Sequence, residues 1–307
     1  MSRSEQSRNK LEQVILEHQF EHASAYLLEN TRHGIRCTKA GVANYDIPCV
    51  SRIGGDPDLP PQAEWPATTD GTPMTFLVQL NLKDVASHDE SSLLPTGGML
   101  YFFVGIDEPA YHIQHRVLFL PDDQLASAER RLSPEVTALK ERFCGYQLEA
   151  RTSLEPPNYA YVDYEQIENE SVGYEEYEDL TFSLSNTQRD DAALLFGYPT
   201  GQHDDSEYEA ALMILTGQNY SYSTTKALEQ LTAHFAGDEE KAKQEIQDTL
   251  MLLEIESDDD VGFCCGMPAY CISLFARKIC WQGVLTVHIV RCIQAEGSET
   301  VTDSIYS

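Results

Sequence analysis

Few side chains in this chain of 307 residues stand at spacings that could carry chemistry. Cys264, Cys265, Cys271 and Cys280 crowd together as a zinc set would. However, there is no C-x-x-C pair, adjacent cysteines do not readily share one tetrahedral ion, and strand alternation would scatter the others. His203 beside Asp204 and Asp205 has the composition of a metal or acid-base site, yet the same triplet is ordinary turn sequence. Asp258, Asp259 and Asp260 before Gly262 look like a calcium loop without the EF-hand spacing, so a solvated acidic turn is expected. Arg130, Arg131, Lys140 and Arg142 form one of the few basic concentrations, expected to neutralise nearby carboxylates rather than to hold an anion. No nucleophile stands with a base, so no catalytic residue, metal or cofactor is assigned. Polar groups for a ligand cleft remain: Arg52, Gln79, Asp204 and Asp258, with Gly54, Gly55, Trp65 and Gln202 around them.

One segment is unusual in composition. Residues 155–179 interleave tyrosines with Asp and Glu, and such a stretch is expected to be a long, exposed insertion. As a solvated loop it needs no function. As a contact surface, Tyr161, Tyr164, Tyr174 and Tyr177 offer amphipathic area, while Glu165 and Glu175 meet lysines and arginines of a basic partner.

The elements that must position these groups are mostly strands. Met74–Leu82 and Met99–Val104 have high β propensity, and the Pro95-Thr96-Gly97-Gly98 turn between them makes them antiparallel neighbours. Before them, Gly54 and Gly55 stand where the backbone needs positive φ or a close approach, and Pro57 fixes the exit. Glu5–Asn30 repeats apolar residues at helical spacing. Ile35–Val50 supplies a strand leading into the Gly-Gly loop, and further strands are expected at Tyr111–Leu120, Glu209–Thr216, Leu250–Glu256, Tyr270–Phe275 and Val284–Cys292. Helices are expected over Gln124–Leu132 and Pro134–Phe143, over Ala227–Phe235 capped by Thr224 or Thr225, and over Glu239–Thr249. The order strand, acidic connection, Gly turn, strand occurs twice, first from Met74 and again from Leu250. The fold class is therefore α+β and β-rich: antiparallel sheets in two related halves, with an N-terminal helix and a few peripheral helices. A single domain divides into 1–50 (helix and lead-in), 51–150 (first half), 151–190 (acidic insertion), 191–296 (second half) and a frayed tail, 297–307. A cleft between the halves would be the default ligand position.

The pattern S-R-x-G-G-x-P-x-L-P, then W-P, G-x-P-M-x-F-L-x-Q-L-N-L and L-P-x-x-G-M-L-Y-F-F, resembles the YwqG-like family, a bacterial family of unknown function. Leu194–Pro199 with Gln202 and Asp204, and Leu252–Asp259, are similar to later motifs of that family. Where the family carries W-G-D-x-G-x-L-Y-F, this chain has Cys265–Ile272. The resemblance implies a β-rich domain and brings no established reaction.

Charge limits the partners. With Lys+Arg 21 against Asp+Glu 50, the formal net charge is -29, a field that repels phosphate backbones and anionic lipid and steers basic molecules inward. Neither nucleic acid nor membrane is expected as a partner. The N-terminus lacks a signal-peptide core, so a cytoplasmic location and reduced thiols are expected for the eight cysteines. Two functions follow, with oligomeric state left open. The first is a non-catalytic binding protein for a basic protein partner, to which the resemblance adds the manner of an immunity protein covering a toxin. The second is a small-ligand binder or enzyme using the cleft between the halves.

Overall fold

The computed structural model describes residues 3–105, 114–201 and 203–263, and the backbone of 270–277 and 287–294. Helices α1 (Arg3–Glu17) and α2 (Ser24–Asn30) precede strand β1 (Arg32–Val42). Strands β2 (Arg52–Ile53), β3 (Asp58–Leu59) and β4 (Thr75–Asn81) lead through α3 (Leu82–Val85) to β5 (Met99–Val104), β6 (His115–Leu120), β7 (Glu129–Arg130) and β8 (Tyr146–Glu155). Helices α4 (Tyr164–Ile167) and α5 (Tyr174–Ser185) then precede β9 (Asp191–Leu195). Next come α6 (Ser206–Thr216), α7 (Thr224–His234) and α8 (Glu239–Gln247), followed by β10 (Thr249–Glu256), β11 (Tyr270–Arg277) and β12 (Val287–Gln294).

All the strands but β3 and β7 join one ten-stranded sheet in the order β12-β11-β10-β9-β1-β8-β2-β4-β5-β6, and every neighbouring pair is antiparallel. This is the β-rich α+β class the strand pattern implies. The order has an internal symmetry. One series runs β1, β2, β4, β5, β6 and the other β8, β9, β10, β11, β12, but their first strands are exchanged: β1 lies on β9, and β8 on β2. At the centre β1 and β8 pair with each other, with Arg36 opposite Arg151. The repeated strand order in the sequence thus has a counterpart in space. Where a cleft between the halves was expected, this central pair carries the hydrogen-bond ladder straight through.

One face of the sheet holds the main core, in which Ile35, Ile53, Val78, Leu80, Phe102, Leu195 and Ile255 pack with Val261 and Phe263. On the other face of β4 and β5, Phe76, Met99, Tyr101 and Phe103 pack with Leu59 and Trp65. Burial on both faces is why MLYFFV reads as a continuous apolar run with no alternation. Each such aromatic ring contributes about 1.5–3 kcal/mol by leaving water.

Several local expectations give way to tertiary packing. The helix over Glu5–Asn30 breaks at Gln19 (φ 64), which lets Phe20 turn into the core between α1 and α2. The strand expected over Ile35–Val50 starts at Arg32 and ends at Val42. Glu209–Thr216 is not a strand but lies within α6. Ala210 faces Leu194 and Met251 on the sheet, while Ala211 and Leu212 face α7 and α8, so a helix with no exposed residue mimics a buried strand. The helices expected over Gln124–Leu132 and Pro134–Phe143 do not form, because their amides are taken elsewhere. Arg131 donates to the Pro57 carbonyl, Ser133 to Asp56, Ala138 to the Pro73 carbonyl and Leu139 to Thr75. α7 is capped by Ser223, whose hydroxyl accepts from the Lys226 amide, rather than by Thr224 or Thr225.

The largest correction concerns residues 155–179. They fold against the N-terminal helices: Val162, Ile167, Val172 and Tyr177 share a core with Leu11, Ile15, Phe20 and Leu27. Glu176 fixes the start of α5 by accepting from the Gly173 amide, and Asn186 in the left-handed region ends it.

Candidate functional site

The Gly-Gly loop is built around one buried carboxylate. Arg52 on β2 and Asp58 on β3 are both 0 % exposed. Arg52 donates from Nη2 to Asp58 Oδ2 (3.2 Å) and from Nη1 to the Asp56 carbonyl (2.8 Å), and its guanidinium lies over the Tyr45 ring, 4.3 Å from the centroid. Gln79 on β4 accepts from the Asp58 amide (2.8 Å) and donates to Asp58 Oδ2 (2.8 Å) and to the Val50 carbonyl (2.7 Å). The Cys49 amide and the Tyr101 hydroxyl complete the set, donating to Asp58 Oδ2 and to the Asp58 carbonyl. Burial first, and then Cys49 and the Asp58 charge, push the Tyr101 phenol far up, so it is fixed as a donor. These bonds hold the loop, and Arg52 and Gln79 are both 0 % exposed, with Arg52 Nε and Asp58 Oδ1 left without a hydrogen-bond partner among the described residues.

Gly54 and Gly55 both have positive φ (66° and 68°). A Cβ on Gly54 would run into the Cys144 carbonyl oxygen, and one on Gly55 into the Tyr45 hydroxyl. Gly54 therefore serves packing, whereas Gly55 lines a small surface cavity with Tyr45, Asp56 and Arg130. Trp65 donates to the Met74 carbonyl (2.9 Å), packs edge-on against Phe103 and lines a groove with Met74, Leu118 and Leu120.

The second half repeats the loop without its charges. Phe196-Gly197-Tyr198-Pro199-Thr200 occupies the place of Gly54-Gly55-Asp56-Pro57-Asp58, and Leu194 pairs with Glu254 as Arg52 pairs with Gln79. Phe196 even shares the φ of Gly54, at 63°. Glu254 accepts from the Thr200 amide (2.9 Å), as Gln79 does from Asp58, and also from the Thr200 hydroxyl (2.8 Å).

The remaining ligand candidates separate. Asp258 is used up in its own turn: Oδ1 accepts from the Asp260 and Val261 amides, and Oδ2 binds Lys39 at 2.6 Å. Lys39 also reaches Asp260 (2.7 Å), so an internal ammonium stands where a calcium loop would hold its ion. Asp204 is exposed beside His203 in the turn before α6. Gln202 lies outside the described residues, as do the side chains of Cys264, Cys265, Cys271, Cys280 and Cys292. Among the described residues, no three His, Cys, Asp or Glu side chains form a metal set. Cys37 is buried in the core, which pushes its thiol up to about 12, while Cys49 is half-buried and Cys144 exposed.

The tyrosines divide into an inner and an outer group. Tyr177 is buried, and its hydroxyl donates to the Pro157 carbonyl (2.8 Å). Tyr161 donates to Glu207 (2.7 Å), which also binds Arg32 at 3.0 Å, and Arg32 stacks on Tyr198 at 3.7 Å. These two rings are internal braces. By contrast Tyr159 (63 % exposed), Tyr164 (36 %) and the half-buried Tyr174 form a surface cluster with centroids 5.5–6.4 Å apart. Tyr174, Glu178 and the exposed Phe182 follow one another at helical i, i+4 spacing along α5. Around this strip Glu165, Glu168, Glu175 and Glu178 are exposed, and none of them forms an ion pair among the described residues. Burial first, and then Glu178, raise the Tyr174 phenol to about 12, so it stays a neutral donor.

Sequence reasoning missed two features. One is the brace of Arg32, Tyr198, Tyr161 and Glu207. The other lies at the sheet centre, where Arg36 grips Glu155 by Nε and Nη2 (2.7 Å each) and Arg151 binds Asp191 at 2.5 Å. The signal for the latter was slight: Arg36 and Arg151 lie inside two strands, while their carboxylates stand at strand ends, Glu155 closing β8 and Asp191 opening β9.

A family model described as a domain of unknown function, DUF1963, matches residues 51–274, and the chain belongs to that family. No curated protein matches it. Among the described residues no helix is long and apolar enough to cross a membrane.

Proposed function

We propose that this DUF1963 protein, whose motifs are those of the YwqG-like resemblance, is a non-catalytic binding protein that takes a basic protein partner on the outer tyrosine strip. The observation that carries this reading is the juxtaposition of Tyr159, Tyr164, Tyr174 and Phe182 with Glu165, Glu168, Glu175 and Glu178, carboxylates free of ion-pair partners among the described residues. Aromatic faces attract lysine and arginine, and unpaired carboxylates beside them supply the countercharge. A cationic groove of the kind a toxin nuclease presents has the matching chemistry. The net charge of -29 adds long-range steering that salt suppresses over a Debye length of about 8 Å at physiological ionic strength.

The test is capture from native lysate by the wild-type chain and by Tyr159→Ser/Tyr164→Ser, at low and high salt, with the retained proteins identified. One or a few basic proteins, held at low salt, released at high salt and lost by the variant, are expected. Both replaced rings are exposed, so the variant keeps the fold. Capture indifferent to salt and to the two tyrosines would contradict the reading.

A further inference from the structure

We infer that the cavity beside the Gly54-Gly55 loop binds a small molecule through an oxyanion head, carboxylate or phosphate. This site is separate from the tyrosine strip and does not depend on it. Its walls include Tyr45, Gly55, Arg130, Ser133, Lys140 and Arg142.

Scarcity of positive charge makes the site conspicuous. With 21 basic residues against 50 acidic ones, a lysine or arginine should find a carboxylate, and about half of those whose side chains are described do. Arg130 fits that rule, gripping Asp56 by Nε (2.9 Å) and Nη2 (2.6 Å) while lying 3.7 Å over the Tyr45 ring. Arg131 departs from it, donating to the Ala63 carbonyl. Lys140 and Arg142 depart further: neither forms an ion pair among the described residues, yet both line the same cavity. The expectation that these four groups merely neutralise neighbours therefore holds for one of them.

Backbone conformation points the same way. Lys140 sits at φ 56°, in the left-handed region, a strained state for a residue with a side chain. The segment is pinned on either side, by Thr137 and Leu139 on Thr75 and by the Cys144 amide on the Val261 carbonyl. A glycine would relieve the strain at 140, and a lysine stands there instead. Donors for an oxyanion then comprise the Lys140 ammonium, the Arg142 guanidinium and the remaining Arg130 nitrogen, with the Ser133 hydroxyl beside them.

Size and the negative groups narrow the ligand. The cavity measures ≈ 180 Å³, while a cavity of about 150 Å³ accommodates benzene. A ring-sized molecule fits within it. Both oxygens of Asp56 are engaged, by Arg130 and by the Ser133 amide, but Glu135 and Glu141 stand exposed on the rim. They disfavour a second anionic group, so the molecule carries one head and a neutral or cationic remainder.

The experiment is an amide NMR titration of the full chain at low ionic strength with acetate, inorganic phosphate and methylammonium. Saturable shifts at Gly55, Ser133, Thr137 and Gly145 are expected with an oxyanion and not with methylammonium. A dissociation constant on the order of 1–10 mM suits so small a probe, and whichever of acetate or phosphate saturates first identifies the head group. Lys140→Gly/Arg142→Gln should weaken binding about tenfold or more. Its melting temperature should not fall, since glycine takes φ 56° without strain. Three outcomes overturn the site: no saturable shift at those amides with either anion, the same shifts with methylammonium, or binding unchanged in the double variant.

Discussion

Arg52→Ala is expected to remove about 3–5 kcal/mol of stability, a large share of the roughly 5–15 kcal/mol available to a domain. The loss arises less from the missing 3.2 Å contact than from what is left behind. Asp58 stays 0 % exposed, with Oδ1 already lacking a partner and Oδ2 now held only by neutral donors, the Gln79 amide and the Cys49 backbone. A buried carboxylate without its counter-ion is far costlier than a pair removed together. Arg52→Met/Asp58→Asn should therefore recover much of the deficit, because asparagine keeps the hydrogen bonds and sheds the charge. Urea midpoints at unchanged slope measure both variants. A single-variant loss below about 1 kcal/mol would mean that water reaches the pair and that it behaves as a surface bridge.

Gly54→Ala should cost about 2–5 kcal/mol, combining left-handed strain of about 1–2 kcal/mol with overpacking of about 1–3 kcal/mol. The second half of the sheet shows which effect dominates. Phe196 holds the equivalent position at φ 63° with a full side chain, so that dihedral is tolerable in this fold. What Gly54 has and Phe196 lacks is the Cys144 carbonyl oxygen in the path of Cβ, and a backbone oxygen cannot swing aside. Gly71→Ala is the control: its φ is +87° and nothing lies within 4 Å of the added carbon, so only the strain remains. Thermal midpoints compare the two, and equal losses would assign the effect to the dihedral alone.

These two positions also show what was legible before any coordinates. Strands β4, β5 and β10 and the turn glycines could be read because period, β propensity and turn chemistry are local. The roles of Arg52 and Gln79 could not. A polar residue in a strand looks the same whether it faces a ligand or a buried aspartate, and Asp58 is joined to them only through pairing of distant segments. The 155–179 stretch failed for a related reason. Its acidic residues dominate the composition, but Val162, Ile167, Val172 and Tyr177 recur closely enough to bury one face on α1 and α2. Counting charge saw the outer face and missed the inner one. α6 went wrong in the opposite sense, since a helix enclosed by sheet and helices loses the polar stripe that reveals its period.

What remained outside after that folding is the tyrosine strip, and its use for contact is the centre of the account. The most direct measurement is the footprint of a captured basic protein on this chain, read by hydrogen exchange in the complex. Added protection is expected to gather over residues 159–182 and to weaken as salt rises. Protection confined to residues 130–145 and the Gly54-Gly55 loop, with the strip unchanged, would contradict it.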